Sequence, residues 1–425
     1  MSDAIDKWVD EAMAQPINVS LILNKDGSNR QDTENFIRVL EQDVRFAGRF
    51  RLNELSQAVE LTLPLPWADG EGTRRASEAD LIELVCVLEQ DYGLRSKKKA
   101  KDAMVAVASR HKWDPVAERL DALPQWDGQE RAGHLFSWFL GARDDGYTRS
   151  VERLLFSGAI MRTYHPGSKF DYMAVLVGGQ GIGKSTLARK LALEDEWFTD
   201  GVMGIGTKEA AELVQGRLII EIAELDALKG KRLETTKAFI TRTSDDYRAA
   251  YGDRVEQHPR RCVLVGTTNA DRFLSDMTGN RRFVPVKCGE FEPALDLFGP
   301  DAEAAIEQAW AEMLHLYRQD GKLPLVLPRE AMRRANAMQE EFELDDPRIG
   351  EIEAWLSDRK LGERVCAAQI LEEALGSPRP QKRYEVNDIH GIMKHRFPEW
   401  QMLQKKKRIG NFGVQFAYEK ADDKG

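Results

Sequence analysis

Residues 173–191 read Met173-Ala-Val-Leu-Val177, then Gly178-Gly-Gln-Gly-Ile-Gly183-Lys184-Ser185, and then Thr186-Leu-Ala-Arg-Lys-Leu191. The first part is the short apolar run typical of a buried strand, and the last part is typical of the start of a helix. The middle part matches the pattern G-x-x-x-x-G-K-[ST] at every position. A strand, a glycine-rich loop and a helix in this order predict an α/β fold with a phosphate-binding loop.

This loop predicts binding of a nucleotide such as ATP together with Mg²⁺. Glycines let backbone N–H groups wrap the phosphates, and the start of the helix adds a favourable dipole field. Lys184 is expected to reach the outer phosphates, and the Ser185 hydroxyl is expected to bind Mg²⁺. The predicted nucleotide-binding residues are Gly178, Gly179, Gln180, Gly181, Ile182, Gly183, Lys184, Ser185 and Thr186.

Two acidic residues in the run 218–225 are candidates for metal binding and for activation of water. A predicted strand at 218–223 would place Glu224 at its carboxyl end, where ligands bind in open α/β sheets. Glu221 lies inside that strand, so its carboxylate needs a partner such as Mg²⁺, a water or a basic side chain. We expect the two acids to share these duties, with their individual roles open. For Glu221 a structural salt bridge is the alternative.

Polar residues after the next two strands complete the predicted catalytic set. Asn269 follows an apolar strand and is predicted beside the γ-phosphate, where it would orient the attacking water; a turn-capping Asn is the alternative. Arg281 and Arg282 precede another strand, and arginines stabilise the charge of phosphoryl transfer, either within one chain or across a subunit interface. The alternative is an ordinary exposed arginine pair.

Between these strands, arginines alternate with tyrosines and are followed by Arg260 and Arg261. Such a segment suits single-stranded DNA, because cations contact phosphates and aromatic rings stack on bases. Ion pairs with Asp245 and Asp246 are the alternative interpretation. The candidate DNA contacts are Lys237, Arg242, Arg248, Tyr251 and Arg254.

Composition limits the class of protein. The net charge of −9 excludes a globally basic nucleic-acid binder, and 42% hydrophobic residues argue against general disorder. No apolar run approaches the length of a membrane span, and the first residues do not resemble a signal peptide. The cysteines are far apart, which argues against disulfides and structural zinc and predicts a cytoplasmic protein. They are Cys86, Cys262, Cys288 and Cys366.

The apolar pattern divides the chain into several predicted parts. Short apolar runs alternate with helical segments after residue 150, which is typical of parallel strands joined by helices. Before that point, Ser77 and Asp80 form a capping-box pattern at the start of a helix. The predicted parts are a mixed α+β accessory or collar domain at 1–120, a helical linker at 121–150, a P-loop ATPase domain at 151–325, a second helical linker at 326–348 and a small domain at 349–425.

The last predicted domain contains a basic cluster. Residues 376–410 hold nine basic and three acidic side chains, a local charge of +6 that includes Lys405, Lys406, Lys407 and Arg408. A predicted helix precedes this cluster, and apolar residues alternate after it as in a strand. The pattern favours a winged-helix-like module that binds DNA. A solvated face on a helical cap that serves assembly is the alternative.

Several motifs in order along the chain resemble the virulence-associated protein E family of phages, prophages and plasmids. The resemblance covers about residues 110–320 and includes the P-loop and the acidic strand. The other motifs are Leu123-Pro-Gln-Trp-Asp-Gly128, His165-Pro-Gly-Ser-Lys169-Phe-Asp171, Asp246-Tyr-Arg-Ala-Ala-Tyr-Gly252, Gly266-Thr-Thr-Asn269 and Asp276-Met-Thr-Gly-Asn-Arg-Arg-Phe283.

This resemblance implies an AAA+-like ATPase related to superfamily 3 helicases, which assembles into a ring, often a hexamer, and moves on single-stranded DNA. By resemblance, the loop carries over as Walker A, the acids Glu221 and Glu224 as the Walker B region, Asn269 as sensor 1 and Arg281 or Arg282 as the arginine finger. Segment 237–254 would face the channel. Superfamily 3 helicases commonly have adjacent acids, whereas Ile222 and Ala223 separate them here.

The implied function is an ATP-dependent helicase or translocase of a phage or mobile element, acting in the cytoplasm of a bacterial host. No acid cluster typical of a primase precedes the ATPase part, so a separate primase or polymerase is an expected partner. Two alternatives stay open. One is an initiator or loader ATPase that remodels DNA or a partner without unwinding, and the other is a DNA-binding regulator with a structural nucleotide.

Overall fold

A computed structural model describes residues 19–67, 72–201, 205, 207–225, 231–247, 254–270, 272–274, 280–342 and 346–421. Buried apolar side chains form three main clusters, which we call the N-terminal, central and C-terminal cores. In the described part of the chain, no helix has the combination of length and apolar character that crossing a bilayer requires.

The N-terminal core lies between helices and a four-stranded sheet of order β3-β2-β1-β4. Its first helix begins after Asp32, whose side chain accepts a hydrogen bond from the Asn35 amide, and a capping box of Ser77 and Asp80 begins the second, as predicted. The elements are α1 (Thr33–Gln42), β1 (Phe50–Asn53), β2 (Ala58–Leu61), β3 (Arg74–Arg75), α2 (Glu78–Tyr92), α3 (Lys97–Arg110), β4 (Lys112–Trp113) and α4 (Pro115–Asp121).

The central core surrounds a five-stranded sheet of order β11-β5-β10-β7-β6, in which every pair of neighbours is parallel. The elements are α5 (Leu135–Leu140), α6 (Gly146–Tyr164), β5 (Met173–Val177), α7 (Lys184–Leu191), β6 (Phe198–Thr199), α8 (Lys208–Val214), β7 (Ile219–Ile222), α9 (Lys231–Ile240), β8 (Ser244–Tyr247), β9 (Glu256–Pro259), β10 (Val263–Thr268), β11 (Phe283–Lys287), α10 (Asp301–Asp320) and α11 (Arg329–Glu341). The predicted α/β class with a parallel sheet is confirmed.

Strands β5 and β10 are buried along their whole length, so other parts of the chain cover both faces of the sheet. The segments 121–150 and 326–348, predicted as helical linkers, contribute buried side chains to the central core. These side chains include Leu135, Phe136, Phe139, Ala331, Ala335, Met338 and Phe342. Helices α5 and α11 therefore pack as parts of the central unit.

The elements around the C-terminal core, which we call the C-terminal unit, include a three-stranded antiparallel sheet of order β12-β16-β13 and a short hairpin of β14 and β15. A five-residue π-helical turn, Ile370–Ala374, continues the short helix α13. The elements are α12 (Pro347–Ser357), β12 (Arg364–Cys366), α13 (Ala367–Gln369), α14 (Arg383–Arg396), β13 (Trp400–Met402), β14 (Lys407–Arg408), β15 (Val414–Gln415) and β16 (Ala417–Lys420).

Two buried carboxylates hold the start of α5 in place. Glu152 on α6 accepts hydrogen bonds from the amides of Gly133, Leu135 and Phe136 at 2.8–3.1 Å. Glu312 on α10 accepts from the amides of Arg131 and Ala132. Because these amides precede or begin the helix and have no intrahelical acceptor, the carboxylates supply the partners that the backbone lacks.

The chain after β11 returns along α5 and the P-loop; residues 288–298 are called the return segment below. Its backbone amides donate to neighbouring carbonyls, from Cys288 to Val177 at 2.7 Å, from Gly289 to Leu140 at 2.7 Å and from Leu295 to Trp138 at 3.0 Å. Backbone hydrogen bonds to α5 therefore hold the return segment beside the P-loop.

We expect Gly141→Ala to destabilise the central unit more than Gly321→Ala. Both glycines end helices in the left-handed conformation, with φ of +59° and +68°. A Cβ at Gly141 would lie 1.9 Å from the carbonyl oxygen of Phe291, whereas nothing lies within 4 Å of a Cβ at Gly321. The left-handed conformation costs each alanine about 1–2 kcal/mol, and the clash should add about 1–3 kcal/mol at Gly141 only.

Urea unfolding of both variants, followed by tryptophan fluorescence, measures this difference. Equal losses of unfolding free energy would show that the return segment is not seated closely on α5.

Candidate nucleotide-binding site

A cavity of about 340 Å³ opens where β5, β7 and β10 end. Parallel strands bring their carboxyl ends to one edge of a sheet, so residues distant in sequence meet there. Gly181 and Gly183 have φ of +83° and +93°, which a glycine adopts without strain. The lining residues are Gln180, Gly181, Gly183, Lys184, Ser185, Thr186, Ala223, Glu224, Thr267, Thr268, Asn269 and Phe298.

The Lys184 ammonium lies among neutral acceptors. Its Nζ donates to the carbonyl oxygens of Gly178 and Gly179, each at 2.7 Å, and to Asn269 Oδ1 at 2.9 Å. Burial lowers the pKa of the Lys184 side chain. A buried ammonium gains more from an anionic partner than from carbonyl groups, so phosphate oxygens can replace these acceptors.

Glu221 is only 1% exposed and lies beneath the loop. Its Oε1 accepts hydrogen bonds from Ser185 Oγ at 2.7 Å and from Thr267 Oγ1 at 2.5 Å. Its Oε2 is buried and has no hydrogen-bond partner among the residues that the structure describes. Hydroxyls, and no basic side chain, supply the hydrogen bonds to Glu221 among the described residues, which differs from the salt bridge considered above.

The oxygens of Ser185 and Glu221 fit a magnesium ion. Mg²⁺ prefers hard oxygen ligands and takes one or two protein ligands, with waters and substrate phosphates completing the octahedron. Glu221 Oε2, which is buried and receives no hydrogen bond within the described part of the chain, is an oxygen of this kind. The described residues contain no group of three His, Cys, Asp or Glu side chains that could hold a metal alone.

Glu224 occupies a different position from Glu221. It is exposed, lines the cavity and lies beyond the end of β7. Its φ of +53° is in the left-handed region, which is uncommon for a residue other than glycine. Strained backbone of this kind occurs often at functional sites. The structure thus separates a buried acid, hydrogen-bonded to the loop, from an exposed acid at the cavity.

A family model for the virulence-associated protein E-like domain matches residues 120–344, which is more than half of the chain. The chain belongs to this family. The match covers the P-loop, both acids and Asn269, and it confirms the resemblance found in the sequence. No curated protein matches the chain.

Solved structures of the NrS-1 C-terminal region are similar to this VapE-like chain. One apo structure, described as the A form, has a TM-score of 0.46 at 11% identity and covers 92% of this chain and 100% of that chain. A second apo structure has a TM-score of 0.45 at 11% identity, with coverages of 88% and 96%.

In the VapE-like domain, Arg281 and Arg282 lie at the amino-terminal ends of the parallel strands, whereas the P-loop lies at their carboxyl ends. They end a short 3₁₀ turn just before β11, and Phe283 is paired with Met173 while Lys287 is paired with Val177. The strand between them spans about 13 Å. Neither arginine is therefore brought to the cavity of its own chain, and a finger role would require a neighbouring subunit.

The candidate DNA contacts of the VapE-like domain differ in accessibility. The Lys237 side chain is 4% exposed and pairs with Glu234 at 2.9 Å, which leaves it little surface for DNA. Arg242 pairs with Asp245, and Arg254 is exposed. Arg248 and Tyr251 lie outside the described residues.

The four consecutive basic residues of the C-terminal cluster, Lys405 to Arg408, are all exposed. Lys407 and Arg408 form β14, while Lys405 and Lys406 precede it. Lys406 Nζ lies 5.1 Å from the centre of the Phe416 ring. These charges project from a hairpin at the edge of the C-terminal unit.

Sequence reasoning missed two parts of the site. Thr267 donates to Glu221, although the motif was read only for Asn269. Its position after an apolar strand could have indicated it, because it lies at the same sheet edge as the acids. The return segment was also missed: a Cβ at Gly183 would meet Leu297 Cδ2 at 2.8 Å. No local pattern links two residues so far apart.

We expect Arg260→Ala to destabilise the VapE-like domain strongly and Arg242→Ala only weakly. The Arg260 side chain is fully buried, donates to Asp245 at 2.6 Å and lies over the Phe239 ring. Arg242 contacts the same aspartate at 3.6 Å but is 37% exposed. Removing one partner of a buried ion pair costs about 3–5 kcal/mol, whereas exposed pairs contribute about 0–1 kcal/mol.

Thermal unfolding of the two variants, with DNA binding measured on the folded fraction, checks this expectation. Equal stability of both variants would refute a structural role for Arg260.

Proposed function

We propose that this chain binds ATP with Mg²⁺ and hydrolyses it to move on or unwind DNA during replication of a phage or mobile element. One observation carries the proposal: at the carboxyl ends of the parallel strands, Lys184 donates a hydrogen bond to Asn269 in the cavity, and Ser185, which lines the same cavity, donates to the buried Glu221. This is the constellation that phosphoryl transfer from a nucleotide requires.

The side chains divide the work by position. Lys184 exchanges its carbonyl and amide acceptors for the outer phosphates of ATP. Ser185 and Glu221 hold Mg²⁺, which neutralises charge on the phosphates when bound. Glu224, exposed at the cavity, accepts the proton of the attacking water, and Asn269 orients that water.

We propose assembly into a ring, with a hexamer as the form that the resemblance to superfamily 3 helicases favours, and the position of the arginines supports such assembly. Arg281 and Arg282 lie at the amino-terminal ends of the strands, away from the cavity of their own chain. One of them would therefore complete the site of an adjacent subunit. The ring would act in the cytoplasm of a bacterial host, and a separate primase or polymerase would be its partner.

The C-terminal unit supplies a DNA contact in this proposal. Its order of α12, β12, α13, α14, β13, the β14–β15 hairpin and β16 supports a winged-helix-like module. The wing would be the hairpin that carries Lys405 to Arg408. Exposed cations on a small unit of an acidic chain are the footprint of phosphate binding.

We expect Lys184→Ala to abolish ATP binding and Glu224→Gln to retain it while slowing hydrolysis by about 100-fold or more, because a general base contributes that much. Equilibrium binding of Mg-ATP and steady-state phosphate release separate these effects. The matched control is Glu292→Gln, a change of an exposed glutamate that does not line the cavity.

Forked-duplex unwinding by the same proteins tests the helicase step. An ATP hydrolysis rate that does not respond to DNA, together with no unwinding, would favour the loader or initiator. If Glu224→Gln hydrolyses ATP at the unchanged rate, Glu224 is not the general base.

We expect alanine at Lys405, Lys406, Lys407 and Arg408 to weaken duplex binding and to make its salt dependence shallower by about 3–4 in the logarithmic slope, since each phosphate contact contributes about 0.9. The charge-matched control replaces Lys97, Lys98, Lys99 and Lys101 on α3. In that group Lys97 pairs with Glu78, and Lys99 donates to the carbonyl of Gln31.

Fluorescence anisotropy at several salt concentrations measures both slopes. An equal loss in the two variants would attribute the effect to net charge, and an unchanged slope in the first would exclude the hairpin as a contact.

A further inference from the structure

A large aromatic ring stands exposed at the candidate nucleotide cavity. Phe298 is 76% exposed, while Leu297 beside it in sequence is 4% exposed. The ring lines the same cavity as Gln180, Lys184 and Thr186. Isolated exposed apolar side chains are ordinary, so the position of this one, and not its exposure alone, is the feature that points to a ligand.

The backbone beneath the ring is held on both sides. Leu297 packs against Gly183 of the P-loop, and the Leu295 amide donates to the Trp138 carbonyl at 3.0 Å. The Phe298 amide donates to Asp296 Oδ1 at 2.9 Å, and the Gly299 amide donates to the Asp296 carbonyl at 3.0 Å. An aromatic side chain on an ordered base loses little entropy when a ligand covers it.

The cavity has space for more than phosphates. Thr186, which follows the P-loop, also lines a second cavity of about 470 Å³ with Arg189, Lys190 and Glu303. A nucleotide with its outer phosphates at Lys184 must extend its sugar and base away from that ammonium. Thr186 and Phe298 line the same cavity as Lys184, so both border the space that the sugar and base can enter.

We propose that Phe298 stacks on the base of the bound nucleotide, so that the return segment forms the base-side wall of the site. This inference rests on the proposed nucleotide binding and adds the residue that recognises the base. Aromatic rings stack on every base, because each base has a π-face. Phe298 therefore contributes affinity for the nucleoside without selecting adenine over guanine.

The test compares binding of Mg-ATP, Mg-GTP and Mg-tripolyphosphate by calorimetry. We expect Phe298→Ala to weaken ATP and GTP by a similar factor of about 5- to 150-fold, the range expected for one stacked base. Tripolyphosphate affinity is unchanged, because it has no base. Phe298→Trp restores the affinity for both nucleotides.

The matched control is Phe291→Ala. Phe291 belongs to the same segment and is 51% exposed, but its ring lies 5.4 Å from the Arg143 guanidinium and does not line the cavity. Its removal leaves the affinity for both nucleotides unchanged. Lys184→Ala, in contrast, loses nucleotides and tripolyphosphate together.

Other results overturn the inference in distinguishable ways. If Phe298→Ala weakens tripolyphosphate as much as ATP, the ring supports the loop and not the base. If ATP affinity is unchanged while assembly is lost, the ring is a subunit contact. If the wild-type protein binds tripolyphosphate as tightly as ATP, stacking is refuted while the phosphate site stands; if it binds neither, the proposed function falls as well.

Discussion

The Glu221 carboxylate is the contact on which the site depends. A carboxylate that is 1% exposed is costly unless it is hydrogen-bonded, and its partners here are Ser185 and Thr267, from α7 and β10. Val265 on β10 is paired in parallel with Glu221 on β7. Thr267 lies two residues further along β10, so its side chain is on the same face of the sheet and reaches the carboxylate. Buried polar groups thus lock the loop, β7 and β10 into one arrangement, while apolar residues around them supply the stability.

Glycines let the backbone approach closely enough for this arrangement. A Cβ at Gly178 would lie 2.5 Å from the Cys288 carbonyl oxygen, and one at Gly266 would lie 2.6 Å from Leu225. The glycines of the P-loop motif therefore have two physical roles in this chain. Under the proposed function they would allow phosphates near the backbone, and they let the return segment pack against the loop from the other side. A substitution there would disturb both at once.

The sequence predicts the parts of the fold that depend on local pattern. The strand Met173–Val177 and the helix after the P-loop were predicted because an apolar run, a glycine loop and a helical segment follow each other directly. The acidic residues are also recognisable from local pattern, because they lie within and just after an apolar run. The sequence does not show that Glu221 is buried while Glu224 is exposed at the cavity, since this depends on the backbone conformation. The packing of 121–150 and 326–348 into the central core was not predicted, because their partners lie far away in sequence.

The charged residues show most clearly that counting basic side chains in a sequence does not locate a basic surface. The arginines near residue 250 suggest a basic surface, yet Arg260 is fully buried against Asp245, and Arg242 shares the same aspartate. In the C-terminal hairpin, by contrast, Lys405 to Arg408 are exposed in a chain of net charge −9. A cation whose charge is neutralised by a buried partner adds little to the field at the surface, whereas an exposed one attracts phosphate over a Debye length. The distribution of unneutralised charge, and not its total, therefore determines where such a protein can contact DNA.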